Sequence, residues 1–384
     1  MATDTGAALR ATHDTGVPQG NTDYTTLVLI HGYRWQPAVF KRLLPFACRF
    51  NTRIVLLARR DYPGALPYSD RERTTITRLY NSPRSPTIEV EMAAILAAHG
   101  RDVYDFLVDY VAHERIPPAK GGQGGIILVG WSLGATSITA LLANLKSYPV
   151  GAVSLDTYVR RVILYDTSHI FYAHPYPSEY YHPLHDPSLS PEDAMALFDR
   201  WLSSHFTHGD IWVDGPSALA MRTADPEPPR LSTTLTAEDL AELTCTPPAA
   251  PTGSDHQLMI ASVTHGTYGK LKGAAFFPDE QGDAIPWPEV EIRVLWGDKS
   301  FWESPWGVYL LSRELEEAKK EGRRTRNIKL VRFKGANHFA HWIMPEKTLA
   351  AFLSNDVFGS VIGVVPMQAA NYSSSHLACR YQRT

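Results

Sequence analysis

The sequence predicts an α/β fold: a mostly parallel central sheet flanked by helices on both faces, interrupted by an inserted, mainly helical cap. Three observations carry this. Short apolar runs without polar alternation recur along the chain, as strands covered on both faces require. Helical patterns separate them, and parallel neighbours need such crossovers. From Thr167 to about Pro288 the covered runs stop, and Tyr, His, Pro and Trp become dense.

The first covered strand is Thr25 to Ile30 (TTLVLI), ending at His31-Gly32. A helical pattern follows from Pro37 to Phe50, with Pro45 as a kink point, and Arg53 to Ala58 is the second strand. From Ile88 to His113, Met92, Ile95, Leu96, Val103, Phe106, Leu107 and Tyr110 recur at helical spacing, which predicts one long amphipathic helix with Gly100 inside it. Pro117, Pro118 and nearby glycines break the chain before the strand Ile126 to Val129. A turn at Gly130 to Gly134 then leads into a helix through Ile138, Leu141, Leu142 and Leu145.

Val162 to Tyr165, Ile292 to Trp296 and Ile328 to Phe333 complete the strands, with helical patterns at Trp306 to Glu321 and Glu346 to Leu353. Inside the insertion, helical pieces are expected near Pro191 to Ser204 and Thr236 to Leu243, between Pro-rich loops. The expected division is therefore a core of residues 1–166 and 289–384 and a cap of 167–288. The tail from Gly359 to Thr384 carries an apolar patch, Val361 to Met367, suited to packing on the core or on a partner.

A chain of 384 residues fits one large core with an insertion. Its 40 acidic and 37 basic side chains are scattered, which argues against a nucleic-acid partner or a polybasic anchor. The start, MATDTGAALR, is polar, and no run approaches the roughly 18 apolar residues of a spanning helix, so no membrane association is expected. Cys48, Cys245 and Cys379 are far apart and odd in number, which points to a reducing, cytoplasmic setting.

The pentapeptide Gly130-Trp131-Ser132-Leu133-Gly134 is G-x-S-x-G, set between a covered strand and a helix. A nucleophile on so sharp a turn needs small residues at both flanks. Ser132 is the candidate nucleophile, and the Leu133 N–H points toward the same spot from the helix N-terminus.

These features together resemble the α/β-hydrolase superfamily, over most of residues 22–356 outside the cap. Gly130 to Gly134 resembles its nucleophile elbow, LVLIHGYRW (Leu27 to Trp35) its oxyanion-loop strand, and GANHFAHW (Gly335 to Trp342) its terminal histidine loop, in the family's order. The resemblance implies Tyr33 as the second oxyanion N–H donor beside Leu133. It implies His338 as the base, with His341 beginning the following helix and His31 as loop structure. Arg59 to Gly64 resembles the family's structural turn below the site.

The family's usual acid, a G-x-x-D after the penultimate strand, is missing: Gly297-Asp298-Lys299-Ser300 puts Ser300 in its place. Asp298 is one alternative and Glu303 a more distant one. The family's other site for this carboxylate follows the strand after the nucleophile helix, where Asp166 lies, and Asp166 is preferred.

In the cap, His205-x-x-His208 with Asp210 has metal-like spacing, but no further ligand is well placed, so neither a metal nor a cofactor is expected. The rings of Phe171, Tyr172, Tyr176, Tyr180, Tyr181, Phe198 and Trp201 are expected to line a pocket or pack the cap. The expected activity is hydrolysis of a carboxylic ester or lactone of a medium-sized, partly apolar small molecule. The alternatives are carbon–carbon bond hydrolysis or acyl transfer on the same triad, or ligand binding with little turnover. Oligomeric state is not legible.

Overall fold

The computed structural model describes residues 8–149, 151–278 and 284–355. The apolar patch of the tail and Cys379 lie outside the described residues.

The strands are β1 (Arg10–Asp14), β2 (Thr25–Ile30), β3 (Thr52–Ala58), β4 (Ile126–Trp131), β5 (Val159–Tyr165), β6 (Glu291–Gly297) and β7 (Ile328–Phe333). They form one 7-stranded sheet in the order β1-β3-β2-β4-β5-β6-β7, parallel except for β1, which runs antiparallel to β3. Each apolar run read from the sequence is one of these strands. Alternate residues of the runs feed two cores. Leu27, Leu29, Ile127, Val129 and Ile163 face one side, and Val28, Ile30, Leu128, Val162 and Leu164 the other. The polar edge strand β1 escaped the pattern because most of its residues are exposed and no apolar run marks it.

Before the insertion come α1 (Asp70–Asn81), α2 (Pro86–Glu114) and α3 (Ala135–Asn144). Helix α1 was not predicted: it buries only Ile76 and Leu79, too few for a readable stripe. Its sequence signal is the capping box, in which Ser69 and Glu72 satisfy each other's backbone donors. The segment Pro37–Phe46, expected as an ordinary helix, is 3₁₀ and contains Pro45, whose missing N–H is incompatible with regular helical bonding.

Between β5 and β6 lie α4 (Pro191–Leu202), α5 (Ile211–Asp214), α6 (Leu231–Thr234), α7 (Ala237–Leu243), α8 (Ser254–Thr264) and α9 (Thr267–Phe276), with no strand among the described residues. Within the expected cap span, Ala275 and Phe276 of α9 share a core with Leu141 and Leu142 of α3, beside the sheet. Helices α10 (Glu303–Lys320), α11 (Ala340–Ile343) and α12 (Pro345–Leu353) complete the chain. Among the described residues no helix is long and apolar enough to cross a membrane.

The strand order reverses between β2 and β4, which pair in parallel with Ile30 opposite Gly130. Ligand crevices in open α/β sheets form beyond the carboxyl ends of strands at such a reversal. The registers Trp131 with Tyr165 and Tyr165 with Leu295 bring the ends of β4, β5 and β6 to the same edge.

Candidate active site

At the end of β4 the chain turns through Ser132, whose φ of 52° is left-handed. A non-glycine residue there is strained and persists only where the surroundings dictate it. The flanking glycines supply that constraint. A Cβ on Gly130 would lie 2.6 Å from the Gly134 carbonyl oxygen, and one on Gly134 would lie 2.6 Å from the carbonyl oxygens of both Ile30 and His31. The elbow is thus pressed against the end of β2. A Cβ on Gly32 would approach the Ser132 Cβ to 3.1 Å, so the loop carrying Tyr33 runs beside the serine.

That loop is held from below. His31 is fully buried, and burial together with the Arg59 charge keeps its imidazole well below the ordinary range and neutral. Its Nε2 accepts the Arg59 N–H at 3.1 Å. The Arg59 guanidinium donates to the Gly32 carbonyl at 3.0 Å and forms two bonds, 2.9 and 2.5 Å, to Asp255 on α8. The Tyr62 hydroxyl donates to Asp255 at 2.6 Å and accepts the Arg34 N–H at 2.9 Å. The Arg59-to-Gly64 turn therefore braces both the loop after β2 and the insertion.

On the far side, His338 is 1% exposed, and its Nδ1 lies 2.7 Å from Asp166 Oδ2. Asp166 directly follows β5 at a left-handed φ of 48° and is fully buried. Its Oδ1 accepts from the Gly297 N–H at 2.9 Å and the Ser304 hydroxyl at 2.7 Å, and its Oδ2 also accepts the Ser300 hydroxyl at 2.5 Å. Burial alone would raise this carboxyl. The donors from His338, Ser300 and Gly297 outweigh it and hold Asp166 below the usual carboxylate range. An ionised Asp166 fixes the proton on Nδ1 and leaves Nε2 as the basic nitrogen.

The Trp131 indole N–H donates to the His338 carbonyl at 3.0 Å, linking the elbow residue to the histidine loop. Its ring centroid is 4.8 Å from that of His338, and the Phe301 ring meets the imidazole in a T-shaped contact at 4.9 Å. His341 lies on α11, fully buried against Trp131 and Phe40 and held neutral by burial.

Asp298 is engaged elsewhere. Its carboxylate takes Arg332 Nε at 2.9 Å and the Gly335 N–H at 2.6 Å, bracing the loop after β7. Ser300, where sequence comparison leads one to expect a carboxylate, instead donates to one. Sequence reasoning missed Ser300 and Ser304 as anchors of Asp166; their only trace is two serines four residues apart after β6.

Ser132 and His338 line one cavity of about 540 Å³, roofed by α4 and α8. Of the insertion's aromatic residues, Phe171, Tyr176 and Phe198 line it, Tyr172 and Trp201 are buried in the packing, and Tyr180 and Tyr181 border an outer groove. Glu303, the remote acid candidate, also lines the cavity and accepts the Ser168 hydroxyl at 2.5 Å; burial pushes its carboxyl up to about 7.

His208 and Asp210 have structural partners: His208 bonds the Ser300 carbonyl at 2.8 Å and the Ala220 N–H at 3.0 Å, and Asp210 caps α5 through the Trp212 N–H. Among the described residues, no three His, Cys, Asp or Glu side chains are grouped to hold a metal ion.

Residues 27–352 match the model of the alpha/beta hydrolase family. The chain matches no curated protein. Among solved structures it is similar to a thermophilic esterase from Thermogutta terrifontis (16% identity, 89% of this chain and 90% of that one, TM-score 0.38). It is also similar to the epoxide hydrolase VrEH1 from Vigna radiata (14%, 88% and 91%, TM-score 0.43) and to a bromoperoxidase from Bacillus anthracis (13%, 89% and 94%, TM-score 0.41). With a family match that runs from within β2 to α12 and takes in the elbow and the histidine loop, the chain belongs to the alpha/beta hydrolase family.

Proposed function

We propose that this chain is a serine hydrolase that cleaves a carboxylic ester or lactone of a medium-sized, partly apolar small molecule through an acyl-enzyme on Ser132. The observation that carries the reading is the 2.7 Å bond from His338 Nδ1 to the buried Asp166, in the wall of a cavity that Ser132 also lines. His338 Nε2 takes the Ser132 proton as Oγ attacks the substrate carbonyl. The amides of Tyr33 and Leu133 hold the tetrahedral oxyanion, each donor contributing about 2.7 to 4 kcal/mol as charge develops.

Collapse of that intermediate expels the alcohol, which receives the proton from His338. Water, deprotonated by the same nitrogen, then attacks the acyl-enzyme and frees the acid and Ser132. A serine at the elbow is unsuited to the alkyl-enzyme chemistry of a carboxylate nucleophile. Ser300, standing where the resemblance leads one to expect an acid, would favour the alternative of a binding protein with little turnover, but its 2.5 Å bond to Asp166 gives that serine a use beside the proposed triad.

Labelling with a neutral fluorophosphonate tests the proposal. The wild-type protein is expected to be modified stoichiometrically at Ser132, and Ser132→Ala and His338→Ala to stay unlabelled. Equal labelling of wild type and Ser132→Ala, or none of the wild type, overturns it.

A further inference from the structure

The cavity wall is mainly apolar, with one buried acid that the triad does not use. Glu303, the first residue of α10, is 5% exposed. Its Oε2 accepts the Ser168 hydroxyl. Among the described residues, only two imidazoles are within ion-pair distance of this carboxyl: His182 Nε2 at 3.4 Å from Oε1 and His169 Nδ1 at 3.8 Å from Oε2. Burial holds both down at about 3, so neither compensates the carboxylate.

The other charges lining the cavity do not compensate it either. Arg34 is committed to Asp199 through contacts of 2.6 and 2.7 Å, and Asp186 adds another acid. Against three carboxylates, Asp186, Asp199 and Glu303, the lining sets one guanidinium, Arg34, and no lysine, and Glu303 is the buried carboxylate that this guanidinium does not reach. Beside it the Tyr176 ring packs on His169 at 4.6 Å and the Phe198 ring on His182 at 5.3 Å. A buried carboxyl with aromatic rings nearby, and with no lysine or arginine within ion-pair distance among the described residues, is matched by a ligand that brings its own positive charge.

We propose that Glu303 forms a cation subsite in this cavity, receiving a protonated amine carried by the substrate, with the Tyr176 and Phe198 rings flanking it. The inference deepens the hydrolase reading, on which only its turnover arm rests. A charge-assisted bond made out of water is about twice as strong as a neutral one, so discrimination of tenfold or more between an ammonium and its neutral isostere is expected.

The binding arm is calorimetric titration of the full chain with n-hexylammonium and with 1-hexanol, which needs no catalysis. Wild type is expected to bind the ammonium at least about tenfold more tightly, and Glu303→Gln to reduce that ratio at least about tenfold. Equal affinity of wild type for the two ligands overturns the subsite, and so does a ratio unchanged in the variant, which leaves Glu303 a structural role. Should Glu303→Gln fail to fold, the wild-type ratio alone decides.

The turnover arm compares kcat/KM for 4-nitrophenyl 6-aminohexanoate and 4-nitrophenyl heptanoate, with the same ratios expected and the same results adverse. Selective ammonium binding without fluorophosphonate labelling of Ser132 leaves the subsite standing and overturns the hydrolase reading. Labelling without ammonium selectivity does the reverse.

Discussion

Replacing Glu303 with Gln exchanges a buried carboxyl for an amide of nearly the same shape, whose oxygen can still accept the Ser168 hydroxyl. What changes is the coupling of folding to pH. Burial raises this carboxyl from an ordinary 4.5 to about 7. Between those values the folded protein keeps a proton that the unfolded chain has released, so stability falls as pH rises and the loss is complete once pH passes the folded value. Below 4.5 both states are protonated and the group contributes no pH dependence. At about 1.4 kcal/mol per tenfold change in proton affinity, the full effect is on the order of 3 kcal/mol, most of it expressed between pH 5 and pH 8. Gln has no such term. Urea unfolding of both proteins at the two pH values should therefore show Glu303→Gln gaining about 2 to 3 kcal/mol on wild type at pH 8 relative to pH 5, with constant offsets cancelling in the difference. A change below about 0.5 kcal/mol would refute the claim that this carboxyl is desolvated without a compensating cation.

Asp166→Asn should lower kcat of the proposed reaction by about 10⁴ through loss of the required His338 tautomer, whereas Asp298→Asn, in the loop after β7, should cost less than about tenfold; steady-state kinetics on a 4-nitrophenyl ester distinguish them. Gly134→Ala drives a Cβ to 2.6 Å from two carbonyl oxygens and should destabilise the fold by at least about 2 kcal/mol, read as a lowered Tm in calorimetry. Asp255→Ala strands the buried Arg59 guanidinium and should cost about 3 to 5 kcal/mol in urea unfolding, far more than Asp186→Ala at the exposed rim.

The sheet was legible because β2 to β6 are sandwiched between layers and burial on both faces leaves short, largely apolar runs, whereas the half-buried edge strand β7 still shows Val331 and Phe333 on its inner face. The same physics hid β1, whose side chains mostly meet water, and α1, which rests on two apolar residues. Helices α8 and α9 lacked a clear apolar stripe because their buried faces carry polar side chains, Ser254, Asp255, Gln257 and Ser262 on α8 and Thr267 and Lys272 on α9. In the candidate site, Ser132 was readable because its turn imposes steric demands on Gly130 and Gly134, a local constraint. The partner of His338 carries no local signature, since Asp166 is 172 positions away and their meeting depends on sheet register; the sequence pointed to Asp166 only through the resemblance, which places an acid after that strand. Ser300 shows the limit most clearly: by position it looked like a lost acid, and only the fold reveals a hydroxyl steadying Asp166. Glu303 raised no signal beyond being a nearby carboxylate, because desolvation is a property of the surroundings and not of the residue.

Two of the ion pairs that fasten the insertion, one on α8 and one on α4, are unequal. The Arg59–Asp255 pair is nearly dry, with side chains 13% and 8% exposed, whereas Arg34–Asp199, joining the loop after β2 to α4, stands at 21% and 30%. Dissolved salt reaches the second and scarcely touches the first. The doorway therefore has one fixed jamb, α8, and one that ionic strength can loosen, α4. Added salt should loosen the tie of α4 to the loop after β2, while the wall carrying Asp255 stays where it is.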